Sequence, residues 1–228
     1  MAKSDSLHHF QGIDVSQAGS ASSIVFETLK QAIITGELKD GTPLKQEELA
    51  KKFSTSRIPI RESINRLEQE GLVKTIRYKG AVVASISLKE VEEMFDLRAL
   101  MEREVMLKAV PNLTDDQIDE AEKYCLEFAT AQTSGDWTDT NRKLHHALFQ
   151  ASDMTFHLSV LNTIYDRTER YLRAQLSFSN GADRAVDEHH TLIELCRARD
   201  AAGAAELMFQ HVKHAKCSLL EFLPQDSE

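Results

Sequence analysis

Between Gln46 and Gly71 the chain reads QEELAKKFSTSRIPIRESINRLEQEG, and this stretch constrains the fold more than any other. Its apolar residues form two sets at helical spacing, Leu49, Ala50 and Phe53, then Ile60, Ile64 and Leu67. Between them lies the polar turn Ser54-Thr55-Ser56. Ser56 suits the N-cap of the second helix, and Pro59 falls in that helix's first turn, where a missing N–H costs nothing. Arg57, Arg61 and Asn65 follow one helical turn apart on a single face. Two short helices joined by a tight turn, the second leading with arginines, make a helix-turn-helix shaped to enter a DNA major groove. Arginine matters there because its planar fork can pair with guanine O6 and N7 together, which lysine cannot do.

The flanking sequence extends this unit. Ile24–Thr35 carries apolar Val25, Leu29, Ala32 and Ile33 on one helical face, and Gly36, Asp40, Gly41 and Pro43 mark a turn. After Gly71 come two short apolar alternations, Leu72–Ile76 and Ala81–Ile86, separated by the basic tip Arg77-Tyr78-Lys79-Gly80. A helix-turn-helix followed by a hairpin is a winged helix, assigned here to residues 23–86. Its tip rests on the DNA backbone or reaches into the minor groove. Residues 1–22 are polar and read as a flexible arm, with His8 and His9 as ordinary arm residues.

The run ITGELKDGTPLKQEELAKKFSTSRIPIRESINRLEQEGLV, with KGAVV in the hairpin, resembles the GntR-type winged helix of bacterial transcription regulators. That resemblance implies operator contacts from Arg57 and Arg61, with Ser56 and Pro59 placing the helix and Lys79 and Gly80 forming the wing tip. Ser54 stands where such turns usually have glycine, which implies left-handed backbone strain of about 1 kcal/mol. Ile58 replaces a common threonine, which removes a hydroxyl contact and implies an altered operator sequence.

Charge divides the chain. The net charge of −9 excludes a protein that coats nucleic acid non-specifically. Residues 24–85 sum to about +3 and residues 86–228 to about −11. A mildly basic head on an acidic body suits a reader of one DNA face. Cys125, Cys196 and Cys217 are widely spaced and odd in number, which argues against a disulfide framework and for a reducing, cytoplasmic setting. No apolar run approaches the roughly 20 residues that span a bilayer, and the start lacks the apolar segment of a signal peptide.

Residues 87–228 read as an all-helical bundle, so the fold class is mainly α: an N-terminal winged helix-turn-helix and then a helical effector domain. The first body helix opens at Ser87, ends near Pro111 and places Met94, Leu97, Met101 and Val105 at helical spacing. Thr114 is a cap candidate for the second, which runs to about Thr133. Ser134-Gly135-Asp136 reads as a break, and four more helices follow: Trp137–Ala151, Phe156–Leu176, Ala182–Arg199 and Ala201–Phe222. Asn141 and His145 share a helix face, while His189 and His211 lie on later helices. Three imidazoles and an oxygen could converge on a divalent metal in a bundle core. By spacing alone, His146, His157, His190 and His214 are equally available.

DLRALME in the first body helix, NRKLHHALFQAS, EHHTLIELCRARD and a final histidine are similar to the ligand-binding (FCD) domain of the FadR branch of GntR regulators. The resemblance selects Asn141, His145, His189 and His211 as metal ligands. Asparagine in place of the usual aspartate lowers the site's negative charge, and Zn²⁺ or Ni²⁺ is the expected ion. Arg98 becomes the expected partner of a small organic acid, with Arg170 and Arg173 either a second clamp or a solvated basic face. The function implied is a metabolite-controlled repressor that binds a pseudo-palindromic double-stranded operator as a homodimer. The alternatives are a regulator whose metal is purely structural, and a metal-dependent enzyme with a DNA-binding appendage. Against the enzyme, no carboxylate sits where a general base would accompany the histidines, as in HExxH.

Overall fold

The computed structural model describes residues 7, 9–15, 20–176 and 181–222. The chain divides into two compact units, Met1–Ile86 and Ser87–Glu228.

In the first unit, α1 (Ala21–Ile34), α2 (Gln46–Lys52) and α3 (Arg57–Gln69) precede an antiparallel hairpin of β1 (Val73–Ile76) and β2 (Gly80–Val83). Val73 pairs with Val83 and Ile76 with Gly80, and an isolated bridge joins Pro43 to Val82. Leu49, Phe53, Ile60, Ile64 and Leu67 are all buried in one core with Val25, Leu29 and Ile33 of α1. Each such side chain contributes about 1.5–3 kcal/mol. The turn geometry follows the residues. Ser54 adopts φ 49°, the left-handed conformation expected where glycine is replaced, and Tyr78 and Gly80 turn the hairpin with φ 66° and 77°. Ser56 occupies the N-cap of α3, but its side chain makes no capping hydrogen bond.

The stretch 1–22 requires a correction. Residues 1–6, 8 and 16–19 of it lie outside the described residues, but the remainder is packed rather than loose. Leu7, Phe10 and Val15 are buried in the head's core. Lys52 Nζ donates to the Phe10 carbonyl at 2.5 Å, and the Val15 N–H donates to the Phe53 carbonyl at 3.0 Å. Gly12 passes so close that a Cβ there would lie 2.5 Å from the Lys52 carbonyl oxygen. Three buried anchors, with Ile13 between them exposed, follow no period, yet are enough to hold the strap.

The second unit consists, among the described residues, of α4 (Leu88–Ala109), α5 (Asp115–Thr130), α6 (Ser134–Phe149), α7 (Thr155–Leu176), α8 (Gly181–Arg197) and α9 (Ala201–Phe222). Thr114 and Gln117 form a reciprocal capping box on α5, and Ser87 caps α4 by accepting from the Glu90 N–H. Ser134-Gly135-Asp136 is the first turn of α6 rather than a break. Thr133 caps it by accepting from the Asp136 N–H at 3.1 Å, which compensates for the glycine.

α4 packs chiefly on α9, and α5 on α6 and α8. The buried face of α4 also differs from the expected stripe. Leu97 is 47% exposed, while Phe95, Arg98, Glu102 and Met106 are almost completely buried. An apolar count cannot assign a face whose interior contains an ion pair. No helix among the described residues is long and apolar enough to cross a membrane.

Candidate metal and effector site, and the DNA-reading face

His145 on α6, His189 on α8 and His211 on α9 are buried and point at one another. One ring nitrogen from each lies within 4.8 Å of the others. Ring centroids are 5.8 Å apart for His145 and His189, 5.2 Å for His145 and His211, and 4.9 Å for His189 and His211. His145 Nε2 and both nitrogens of His189 are buried without a hydrogen-bond partner. Each such orphan costs about 1–3 kcal/mol, and an ion held by His145 Nε2 and one nitrogen of His189 would satisfy two of the three.

A carboxylate lies beside each of two rings. Nδ1 of His145 is 3.2 Å from Tyr165 Oη, which donates to Glu102 Oε1 at 2.8 Å, and 3.3 Å from Glu102 Oε2, which has no hydrogen-bond partner. Nδ1 of His211 lies 2.7 Å from Glu188 Oε2, and the other Glu188 oxygen faces His214 Nδ1 at 2.7 Å. A carboxylate beside Nδ1 favours the proton there and leaves the Nε2 lone pair for a metal. Burial pushes His145 down to about 4 against the upward pull of Glu102. Burial, then the proximity of His211 and His145, holds His189 well below the usual histidine range. Both rings are therefore neutral near pH 7, the form that binds a cation.

Beside the imidazoles is a cavity of about 60 Å³, lined among others by Arg98, Asn141, Arg142, Arg184, Glu188 and His211. By volume it holds roughly four waters or a very small acid. Arg98 is 1% exposed, and its Nε donates to Glu102 Oε1. Its guanidinium lies 4.5 Å over the Tyr165 ring, and Nη1 has no hydrogen-bond partner. A buried N–H without an acceptor at a cavity wall suits a carboxylate oxygen.

Arg173 does not line this cavity. It is committed to Glu169, at 2.8 Å, and to Asp139, at 3.2 Å, and stands behind the wall. The side chain of Arg170 lies outside the described residues. Arg142 and Arg184, which the sequence reading passed over, line the cavity instead. Arg142 is itself held by Asp166 at 2.6 Å. Glu102, Glu188 and Tyr165 were missed as well. The two glutamates stand inside the motifs DLRALME and EHHTLIEL, which is the signal that could have found them.

On the head, Ser56, Arg57, Arg61, Lys79 and Gly80 are all exposed, as is Asn65. Arg57 Nη1 pairs with Glu47 Oε1 at 2.7 Å. Ile58 is 59% exposed between the arginines, and the Arg77 guanidinium stacks 4.9 Å over the Tyr78 ring at the wing tip.

The model of the bacterial regulatory proteins of the gntR family matches residues 21–83, and that of the FCD domain matches residues 93–214. The chain belongs to the GntR family. Its pairing of winged helix with FCD domain is that of the FadR branch, and the protein is a transcriptional regulator, not an enzyme. Among the relatives of this GntR regulator, the HTH-type transcriptional repressor GlaR of Escherichia coli is 29% identical, over 82% of this chain and 90% of its own. The gluconate operon transcriptional repressor of Bacillus subtilis is 25% identical, over 86% of this chain and 84% of its own. A solved GntR family member from Pseudomonas syringae pv. tomato is 27% identical, with TM-score 0.54 over 95% of this chain and 91% of that one. Escherichia coli McbR/YncC, at 21% identity, shares the fold with TM-score 0.77 over 89% of this chain and 98% of that one.

Proposed function

We propose that this GntR regulator is a dimeric, cytoplasmic repressor whose operator binding is controlled by a small carboxylate held in the helical domain beside a divalent metal. The observation that carries this reading is the convergence of three buried imidazoles, with orphaned nitrogens on His145 and His189, beside a cavity lined by His211, Asn141 and Arg98.

His145, His189 and His211 would hold the metal, with Asn141 as the oxygen ligand from the cavity wall, and an imidazole-rich set suits Zn²⁺ or Ni²⁺. When bound, the metal supplies a Lewis-acid anchor for a carboxylate. Arg98 takes the acid's charge, while Arg142 and Arg184, which also line the cavity, are partly neutralised by Asp166, Glu169 and Glu188. Glu102 and Glu188 keep two rings in the metal-binding tautomer. The named functions of GlaR and the gluconate repressor support repression as the sense of control. A second copy of the chain is the partner that suits α4, where Leu97 and Leu100 remain 47% and 59% exposed opposite the buried Arg98 face. The dimer would offer two α3 helices to a pseudo-palindromic operator, and effector binding would change their spacing.

On the head, Ser56, Arg57, Arg61, Lys79 and Gly80 form the DNA contact. Arg61→Ala is expected to weaken operator binding by about 1–3 kcal/mol without lowering the melting temperature. Fluorescence anisotropy on an operator duplex checks this, and wild-type affinity in the variant would remove α3 from the reading. The effector is tested by a thermal-shift screen of small organic acids, run with and without chelator. A carboxylate that raises the melting temperature only in the metal-loaded protein is the expected result. Acids that act equally after chelation would leave the metal a purely structural role.

A further inference from the structure

The reading face of the head contains an acid. Glu47, in the first turn of α2, places Oε1 2.7 Å from Nη1 of Arg57, in the first turn of α3. The two side chains are 74% and 64% exposed, so the pair contributes little to stability, and its position requires another explanation. It sits at the rim of a shallow depression formed with Ala50, Lys51, Ser54 and Thr55, where the helix-turn-helix faces outward.

We propose that Glu47 is a specificity-determining residue that acts by positioning Arg57, an inference that rests on the DNA-binding reading above. A guanidinium at the end of a long flexible chain pairs with any phosphate it meets. Held through Nη1 by a carboxylate, Arg57 loses most of its rotamer freedom before DNA arrives, and its remaining N–H edge stays oriented for a guanine. The pair is also neutral as a unit. It gains far less than a lone arginine from a phosphate, while its hydrogen bonds to a base edge are kept. Glu47 therefore opposes non-specific binding, the sequence-independent electrostatic contribution, more than operator binding. Removing it should tighten the wrong complexes.

The test compares full-length wild type, Glu47→Gln and Glu47→Ala on two duplexes of equal length. One is the sequence that wild type enriches from a randomised library, and the other is a scrambled control, each titrated across a salt series. Circular dichroism and melting curves verify that the variants are folded. In both variants, affinity for the scrambled duplex is expected to rise several-fold, with a salt slope steeper by about 1. The ratio of operator to scrambled affinity is expected to fall by about tenfold. An unchanged ratio, or equal changes on both duplexes, would overturn the role of Glu47 and leave the DNA-binding reading intact. Failure of wild type to enrich any sequence would overturn both.

Discussion

His189→Ala is expected to abolish stoichiometric metal binding, while wild type purified without a histidine tag holds about one divalent ion per chain. The reason is local. His189 has both ring nitrogens buried and without hydrogen-bond partners, so a bound ion would supply the partner that the core does not. At a free metal concentration near 1,000 times Kd, binding stabilises the fold by about 4 kcal/mol, or roughly 10 °C in melting temperature for a chain of this size. That increment should vanish in His189→Ala. In excess chelator, by contrast, wild type and variant should melt close together, because removing orphaned polar atoms offsets part of the cavity left behind. Elemental analysis and melting curves with and without chelator measure both effects. Metal retained at full stoichiometry in the variant would exclude His189 as a ligand.

The pH dependence has a definite sign. His145 and His189 are held below the ordinary histidine value, so the unfolded chain binds more protons as pH falls past about 6.5. Their contribution is complete above that pH and declines between about 6.5 and 4, the value to which His145 is lowered. The metal-loaded protein should show the steeper decline, since protons displace the ion.

Arg98→Ala should produce the largest loss of stability, about 3–5 kcal/mol, because it strands Glu102 as an uncompensated buried charge. Burial alone would raise the Glu102 carboxyl. The Arg98 charge and the adjacent His145 ring outweigh burial and hold it down at about 2. That contribution is present above the normal carboxyl range and is lost as pH falls from about 4.5 toward 2. Pairing Arg98→Met with Glu102→Gln should recover much of the loss, because the glutamine carbonyl can still accept from Tyr165 and no charge remains buried. A double-mutant cycle in urea measures this. Additive losses would show that Arg98 acts through its packing on Tyr165 and Phe95, not through its charge.

Legibility differed by element, for reasons visible in particular residues. The helix-turn-helix could be read directly because its signals are local: Leu49 and Phe53, then Ile60, Ile64 and Leu67, separated by a polar turn with Pro59 just inside the second helix. The capping box at Thr114 was legible for the same reason. Leu7, Phe10 and Val15 were not, because three anchors in a polar stretch have no period. The α4 face was misjudged because Arg98 and Glu102 neutralise each other inside it, and only an inward partner makes a charge look buried. Arg173 was open in sequence to a clamp or a solvated face, and its pairing with Glu169 and Asp139 is what tertiary packing decided.

By itself, then, the sequence determined the winged helix, the exposed arginines of its second motif helix and the all-helical class of the body. Each of these follows from hydrophobic period, caps and turn residues within one or two neighbouring elements. Spacing alone left His146, His190 and His214 as available as His145, His189 and His211; the resemblance selected the latter three, and the tertiary structure brings them together. It also decided that Glu102, Glu188 and Arg98 surround the meeting point, and that Glu47 faces Arg57. Spacing along a helix specifies the direction in which a side chain points. What it meets there depends on how distant helices pack, and that is a property of the whole core.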